Sequence, residues 1–149
     1  MKTIGDKLTA FAVTGVKPGQ PADPYFTITD QSFEGKWKVI VYYPKDFTFV
    51  CPTEIVAYDK LAGDFADRDA VLLTGSTDNE FCKVSWQNAH ADLKKITHHQ
   101  FADTQRGELS LRERARRRAG DDELQHPEAF ACQRGDRVYH LCRAGWRRE

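Results

Sequence analysis

Val39-Ile40-Val41-Tyr42-Tyr43-Pro44-Lys45-Asp46-Phe47-Thr48-Phe49-Val50-Cys51-Pro52-Thr53-Glu54 decides the fold. Its first five residues are continuously apolar, as a strand is when both faces of its sheet are covered. Pro44 ends that strand, and Cys51-Pro52 opens a helix that tolerates proline in its first turn. Beyond it, Ile55, Tyr58, Leu61, Ala62 and Phe65 recur at helical spacing, and Ala70 to Thr74 is a second short apolar strand. Strand, helix, strand in this order is a βαβ unit, right-handed by strong default. The expectation is an α/β fold.

The chemistry of the stretch lies in the placing of one thiol. A cysteine at a helix N-terminus faces free backbone N–H groups and the positive end of the helix dipole, and both favour thiolate over thiol. An unperturbed thiol, with a pKa of about 8.5, is only slightly ionised near neutrality. Pro44, Thr48 and Cys51 together read P-x-x-x-T-x-x-C. Taken without their surroundings, Cys51 is as well read as a small buried apolar residue, Thr48 as a turn residue and Pro44 as a strand stop. Glu54 stands where a C-x-x-C dithiol motif would carry its second cysteine, which argues against dithiol exchange within this motif.

Working outward, Leu8 to Val13 reads as a short strand, and residues 14–24, rich in Gly and Pro, read as loop. Thr77 or Asp78 can cap a further helix with Glu80 in its first turn. Cys82, Trp86, Ala89 and Leu93 would form its apolar face. At 149 residues the chain is one domain, long enough for a sizeable core. No run reaches membrane-spanning length and no signal-peptide pattern opens the chain, so a soluble, cytoplasmic protein is expected.

The net charge of zero hides a break in composition. Residues 1–105 hold ten lysines and one arginine, Arg68, against fourteen acids. Residues 106–149 hold eleven arginines, no lysine, eight acids, no isoleucine and a single valine, Val138. The expected division is therefore a domain over residues 1–109 and an Arg-rich tail over 110–149. Val138 to Cys142 would make at most one short strand.

Trp37-Lys38-Val39, Tyr43 to Ile55, and Asp67-Arg68-Asp69-Ala70-Val71 closely resemble the peroxiredoxins of the alkyl hydroperoxide reductase C type, the 2-Cys peroxiredoxin family. The likeness starts at Met1 and stops near Leu111. It implies a thioredoxin-like fold whose C-terminal part is missing or replaced here, leaving Val39–Tyr43 and Val71–Leu73 short of sheet partners. It also implies a cysteine-based peroxidase reducing hydrogen peroxide and organic hydroperoxides. Cys51 would be the peroxidatic nucleophile, Thr48 would present its hydroxyl to the thiolate and peroxide, and Pro44 would limit water access. Glu54 would help fix an arginine on a later strand. The implied partners are a thioredoxin-like or flavoprotein disulfide reductase and further copies of the chain, as a homodimer or higher homo-oligomer. No haem, metal or flavin cofactor is implied.

Two family parts have no match. The stretch carrying the arginine is absent, and neither Arg134 nor Arg137 sits in a comparable motif. The resolving cysteine belongs to a segment this chain lacks; Cys82 reads as packing or an oligomer contact, and Cys132 and Cys142 as incidental. The alternative is thus an impaired remnant acting only as a binding or oligomerisation module. A frameshift in a GC-rich gene would produce such a tail, and Gly135 to His140 read one nucleotide later can encode Ala-Thr-Val-Phe-Ile-Ile. His90, His98 and His99 show no metal-ligand spacing, and the interleaved acids argue against nucleic-acid binding by the arginine run.

Overall fold

Strand β3 (Trp37–Tyr42) lies inside the sheet, flanked by parallel β4 (Ala70–Ser76) on one side and antiparallel β6 (Ala129–Arg134) on the other. The structure is a computed structural model that describes residues 10–20, 22–104, 129–134 and 137–140, the last two segments as backbone only. Together with β1 (Ala12–Val16), β2 (Tyr25–Thr29), β5 (His99–Ala102) and β7 (Arg137–His140), these strands form one sheet in the order β2-β1-β5-β4-β3-β6-β7. Among the described residues the helices are α1 (Cys51–Asp59), α2 (Ala62–Ala66) and α3 (Glu80–Ala89), followed by a 3₁₀ turn at Leu93–Lys95.

Alternation along β3 divides the core. Ile40 and Tyr42 join Leu73, Phe101, Ile28, Val13 and Phe11 in one cluster. Val39 and Val41 pack with Leu72 against Tyr58, Ala62 and Phe65 of the first two helices. Residue Tyr43, just past the strand, enters a third cluster with Cys51, Ile55, Trp86, Leu93 and Ile96. The run is apolar throughout because successive side chains of one strand serve different layers.

Several sequence expectations are adjusted. The first strand begins at Ala12 and ends at Val16, inside the stretch read as loop, because Thr14, Gly15 and Val16 pair with β2 on one side and β5 on the other. The helix after Cys51 does not run to Phe65: the backbone turns at Lys60-Leu61, with Leu61 N–H donating to the Tyr58 carbonyl at 2.9 Å, and restarts at Ala62. The cap of α3 is Asn79, whose Oδ1 accepts from Cys82 N–H at 2.8 Å. Its buried face is Lys83, Trp86 and Gln87, whereas Ala89 is exposed.

The largest correction concerns residues 129–140, where two strands stand instead of at most one. Their hairpin covers the outer side of β3, with Val39 opposite Cys132 and Val41 opposite Phe130, so Val39–Tyr42 has sheet partners on both sides. An unpaired β3 edge would leave buried N–H and C=O groups unsatisfied, and any segment able to extend beside it relieves that cost.

Candidate active site around Cys51

The carboxyl ends of β3 and β4 carry the loop that leads to Cys51. Tyr43 continues the line of β3 by donating its N–H to the Gly75 carbonyl at 2.9 Å. The chain then crosses Pro44 and Lys45, both exposed, buries Asp46, and turns at Phe47, whose φ of 56° lies in the left-handed region. A bulky residue there is strained and needs surrounding contacts to hold it. Stacking supplies one: the Phe47 ring lies 5.8 Å from that of Trp86 at 29°.

Cys51 is the first residue of α1 and only 4 % exposed, packed among Tyr43, Ile55 and Trp86. Val50, at the cap position, has helical angles and no side-chain cap bond. Thr53 is exposed and bonds back within its own turn, its N–H and hydroxyl both donating to the Val50 carbonyl, at 3.1 and 2.7 Å. Glu54 is half-buried in the same turn. The Thr48 hydroxyl donates to the Lys45 carbonyl at 3.1 Å, which leaves its oxygen lone pairs as the part available to a neighbour. Pro44 is exposed.

Beneath this loop lies a polar network that the sequence reading did not single out. Lys83 is wholly buried, with Nζ 3.2 Å from both carboxylate oxygens of Asp46 and 2.7 Å from Ser76 Oγ. It also donates to the Tyr43 hydroxyl at 3.3 Å, and the Ser76 hydroxyl donates to Asp46 Oδ1 at 3.0 Å. The backbone N–H of Asp46 donates to Asp78 Oδ2 at 2.6 Å. Gln100 Nε2 reaches the Tyr43 hydroxyl at 3.4 Å and its Oε1 accepts from Gln87 at 2.7 Å. Burial pushes the Lys83 ammonium below the ordinary lysine range, against the pull of the Asp46 carboxylate. Burial, then the charge of Asp46, raises the Tyr43 phenol well above its usual value. The available signal was a lysine three residues before Trp86, on the helix face that packs inward.

The far end of α1 is held differently. Asp59 Oδ1 accepts from Thr97 N–H at 2.8 Å, from the Thr97 hydroxyl at 3.0 Å and from His98 N–H at 3.2 Å. It also meets His98 Nδ1 at 2.7 Å, while His98 Nε2 lies 2.9 Å from the Thr74 hydroxyl. His99 packs elsewhere, between Phe26 and Phe33. Among the described residues no group of three or more His, Cys, Asp or Glu is arranged to hold a metal ion, and Cys51 and Cys82 are free thiols. Cys142, and the side chains of Cys132, Arg134 and Arg137, lie outside what the structure describes.

A helix-initiating cysteine at the carboxyl end of a central parallel strand, in a mixed sheet with packed helices, defines a thioredoxin-like α/β protein. A sequence model of the AhpC/TSA family matches residues 4–133, and the chain belongs to that family. The match runs past Leu111, where the likeness read from the sequence stops. The chain is 45 % identical over 112 residues to alkyl hydroperoxide reductase C of Mycolicibacterium smegmatis, covering 70 % of this chain and 57 % of that protein. Identity is also 45 % over 116 residues with the Mycobacterium tuberculosis protein of the same name, across 72 % of this chain and 59 % of the relative. The chain therefore spans less than two thirds of the length of these relatives. Among solved structures, Mycobacterium bovis AhpC superposes with a TM-score of 0.77 at 33 % identity, over 97 % of this chain and 84 % of the other. The reduced 2-Cys peroxiredoxin of Plasmodium vivax gives 0.76 at 26 % identity, over 99 % and 90 %.

Proposed function

We propose that this chain is a cysteine-based peroxidase acting on hydrogen peroxide and organic hydroperoxides, with Cys51 as nucleophile. The observation that carries the reading is Cys51 itself: a nearly buried thiol at the uncapped start of α1, in a chain of the AhpC/TSA family. The thiolate sulfur attacks one peroxide oxygen. The S–O bond forms as the O–O bond breaks, sulfur is oxidised to sulfenic acid, and the departing oxygen takes a proton to leave as water or alcohol. Two thiols of a partner then reduce the sulfenic acid, releasing water and forming the partner's disulfide. A thioredoxin-like or flavoprotein disulfide reductase supplies that chemistry, in a cytoplasmic setting. No described helix is long and apolar enough to cross a membrane.

In this reading Thr48 steadies the incoming peroxide through its free lone pairs and Pro44 forms the outer lip of the site. Glu54, in the first turn of α1, helps fix an arginine near the site. The chain works as a homodimer or larger homo-oligomer. In support, Phe49 is fully exposed and Phe47, Val50 and Phe81 are more than half exposed on the loop and helix beside Cys51. Residues 1–109 carry the chemistry, and 110–149, Arg-rich through a shifted reading frame, replace the family's own C-terminal segment.

A second reading, an impaired remnant that only binds or oligomerises, draws on the unmatched arginine and resolving cysteine. Trapping of Cys51 sulfenic acid with dimedone on peroxide addition separates the two. Labelling confined to Cys51 supports the peroxidase. A protein left unlabelled by excess peroxide while its thiols remain titratable is the remnant.

A further inference from the structure

We propose that Lys83 and Asp46 are a positioning pair for the peroxidatic loop, an inference that rests on the peroxidase reading of Cys51. The pair is held from every side. Lys83 touches both oxygens of the Asp46 carboxylate, the Ser76 hydroxyl and the Tyr43 hydroxyl, and its ammonium lies 5.2 Å from the centre of the Tyr43 ring. Asp46 is gripped through its backbone as well, by Asp78. The loop from Pro44 to Val50 makes its other inward contact through Phe47, on Trp86 one turn beyond Lys83.

Those contacts fix where Cys51 sits. Tyr43 and Trp86, the residues that Lys83 and Phe47 hold, belong to the same buried cluster as Cys51. A buried charge pair is not needed for packing, since apolar residues of similar volume fill such a space as well or better. What the charged pair adds is direction: a carboxylate fixed by several donors holds one loop geometry, where an apolar contact tolerates several. Peroxide attack demands that direction, because sulfur must lie in line with the O–O bond, and small misplacement costs rate steeply.

The test compares the full-length parent chain with Lys83→Met/Asp46→Leu, which keeps volume and removes both charges together. Two rates of Cys51 are measured in single turnover: oxidation by hydrogen peroxide, which needs thiolate, access and alignment with the O–O bond, and alkylation by iodoacetamide, which needs thiolate and access but not that alignment. The expected result is a loss of roughly tenfold or more in the peroxide rate, with alkylation faster. Ser76→Ala, which removes one hydroxyl and no charge, should lose peroxide rate in the same direction and serves if the double variant does not fold. Asp59→Asn, which loosens the other end of α1, should keep the peroxide rate within about twofold. Peroxide rates equal to the parent's in folded Lys83→Met/Asp46→Leu or Ser76→Ala would overturn the inference. So would an equal fall in Asp59→Asn, which marks a general loosening. A parent inert to peroxide sinks the peroxidase reading instead. Alkylation then decides the placement of Cys51 alone: faster in the variants if the pair holds the loop, unchanged if it does not.

Discussion

Asp59, the last residue of α1, accepts the Nδ1 proton of His98 at 2.7 Å and so ties the end of the Cys51 helix to the start of β5. The tautomer follows from the network: with Nδ1 donating to the carboxylate, Nε2 accepts from the Thr74 hydroxyl at 2.9 Å. Burial lowers the His98 pKa from its ordinary 6.5, against the opposing pull of Asp59. For Asp59, burial works upward, but the bonds from Thr97 and His98 outweigh it and the carboxyl ends below its ordinary 3.8.

Stability should therefore fall with acid in two windows. The unfolded chain takes up the His98 proton at a higher pH than the folded one, so this contribution is complete above 6.5 and is lost as pH falls through the lower folded value. The Asp59 contribution is complete above 3.8 and is lost on further acidification. Thermal melts across this range should show the first loss in the parent and a flatter profile in His98→Gln. Asp59→Asn should cost about 1–3 kcal/mol at neutral pH, from weakened charge-assisted bonds.

Cys51→Ser should abolish peroxide consumption, and Cys82→Ser should leave single-turnover oxidation nearly unchanged. Cys82 lies on the half-exposed side of α3, outside the cluster that holds Cys51. Stopped-flow traces of the two variants check this directly; equal loss in both would remove Cys51 from its role.

Thr48→Val keeps the side-chain shape while removing the oxygen that now bonds the Lys45 carbonyl. The peroxide rate should fall by about ten- to a hundredfold, the kinetic equivalent of roughly 1–3 kcal/mol. An unchanged rate constant would place Thr48 outside the chemistry.

Gly75→Ala tests the packing under the site. A Cβ at Gly75 would stand 2.5 Å from the Phe101 carbonyl oxygen and 2.5 Å from its ring, so β4 and β5 would have to part. Denaturant unfolding should show a loss of about 1–3 kcal/mol.

The βαβ unit was legible because its signals are local: an apolar run, a proline-marked helix start and a second apolar run. Cys51 was legible for the same reason. Lys83 was not, because charge at a helical position reads as solvent-facing unless its partner is known, and Asp46 is 37 residues away. The hairpin on β3 was hidden by the opposite effect. Ala129 to Arg134 carries a weak strand pattern amid arginines, and its pairing is set by the open side of β3 rather than by its own composition. Asn79 displaced Asp78 as the cap of α3 because the Asp78 carboxylate is engaged by the Asp46 backbone.

The grip on Asp46 also sets an order of assembly. A growing chain makes Asp46 and Cys51 well before Ser76, Asp78 and Lys83, the three residues that hold Asp46 in place. Until those follow, Cys51 has a helix to begin but no fixed loop before it and no Trp86 beside it. The buried surroundings that Cys51 has in the fold are thus complete only once α3, with Trp86, has docked.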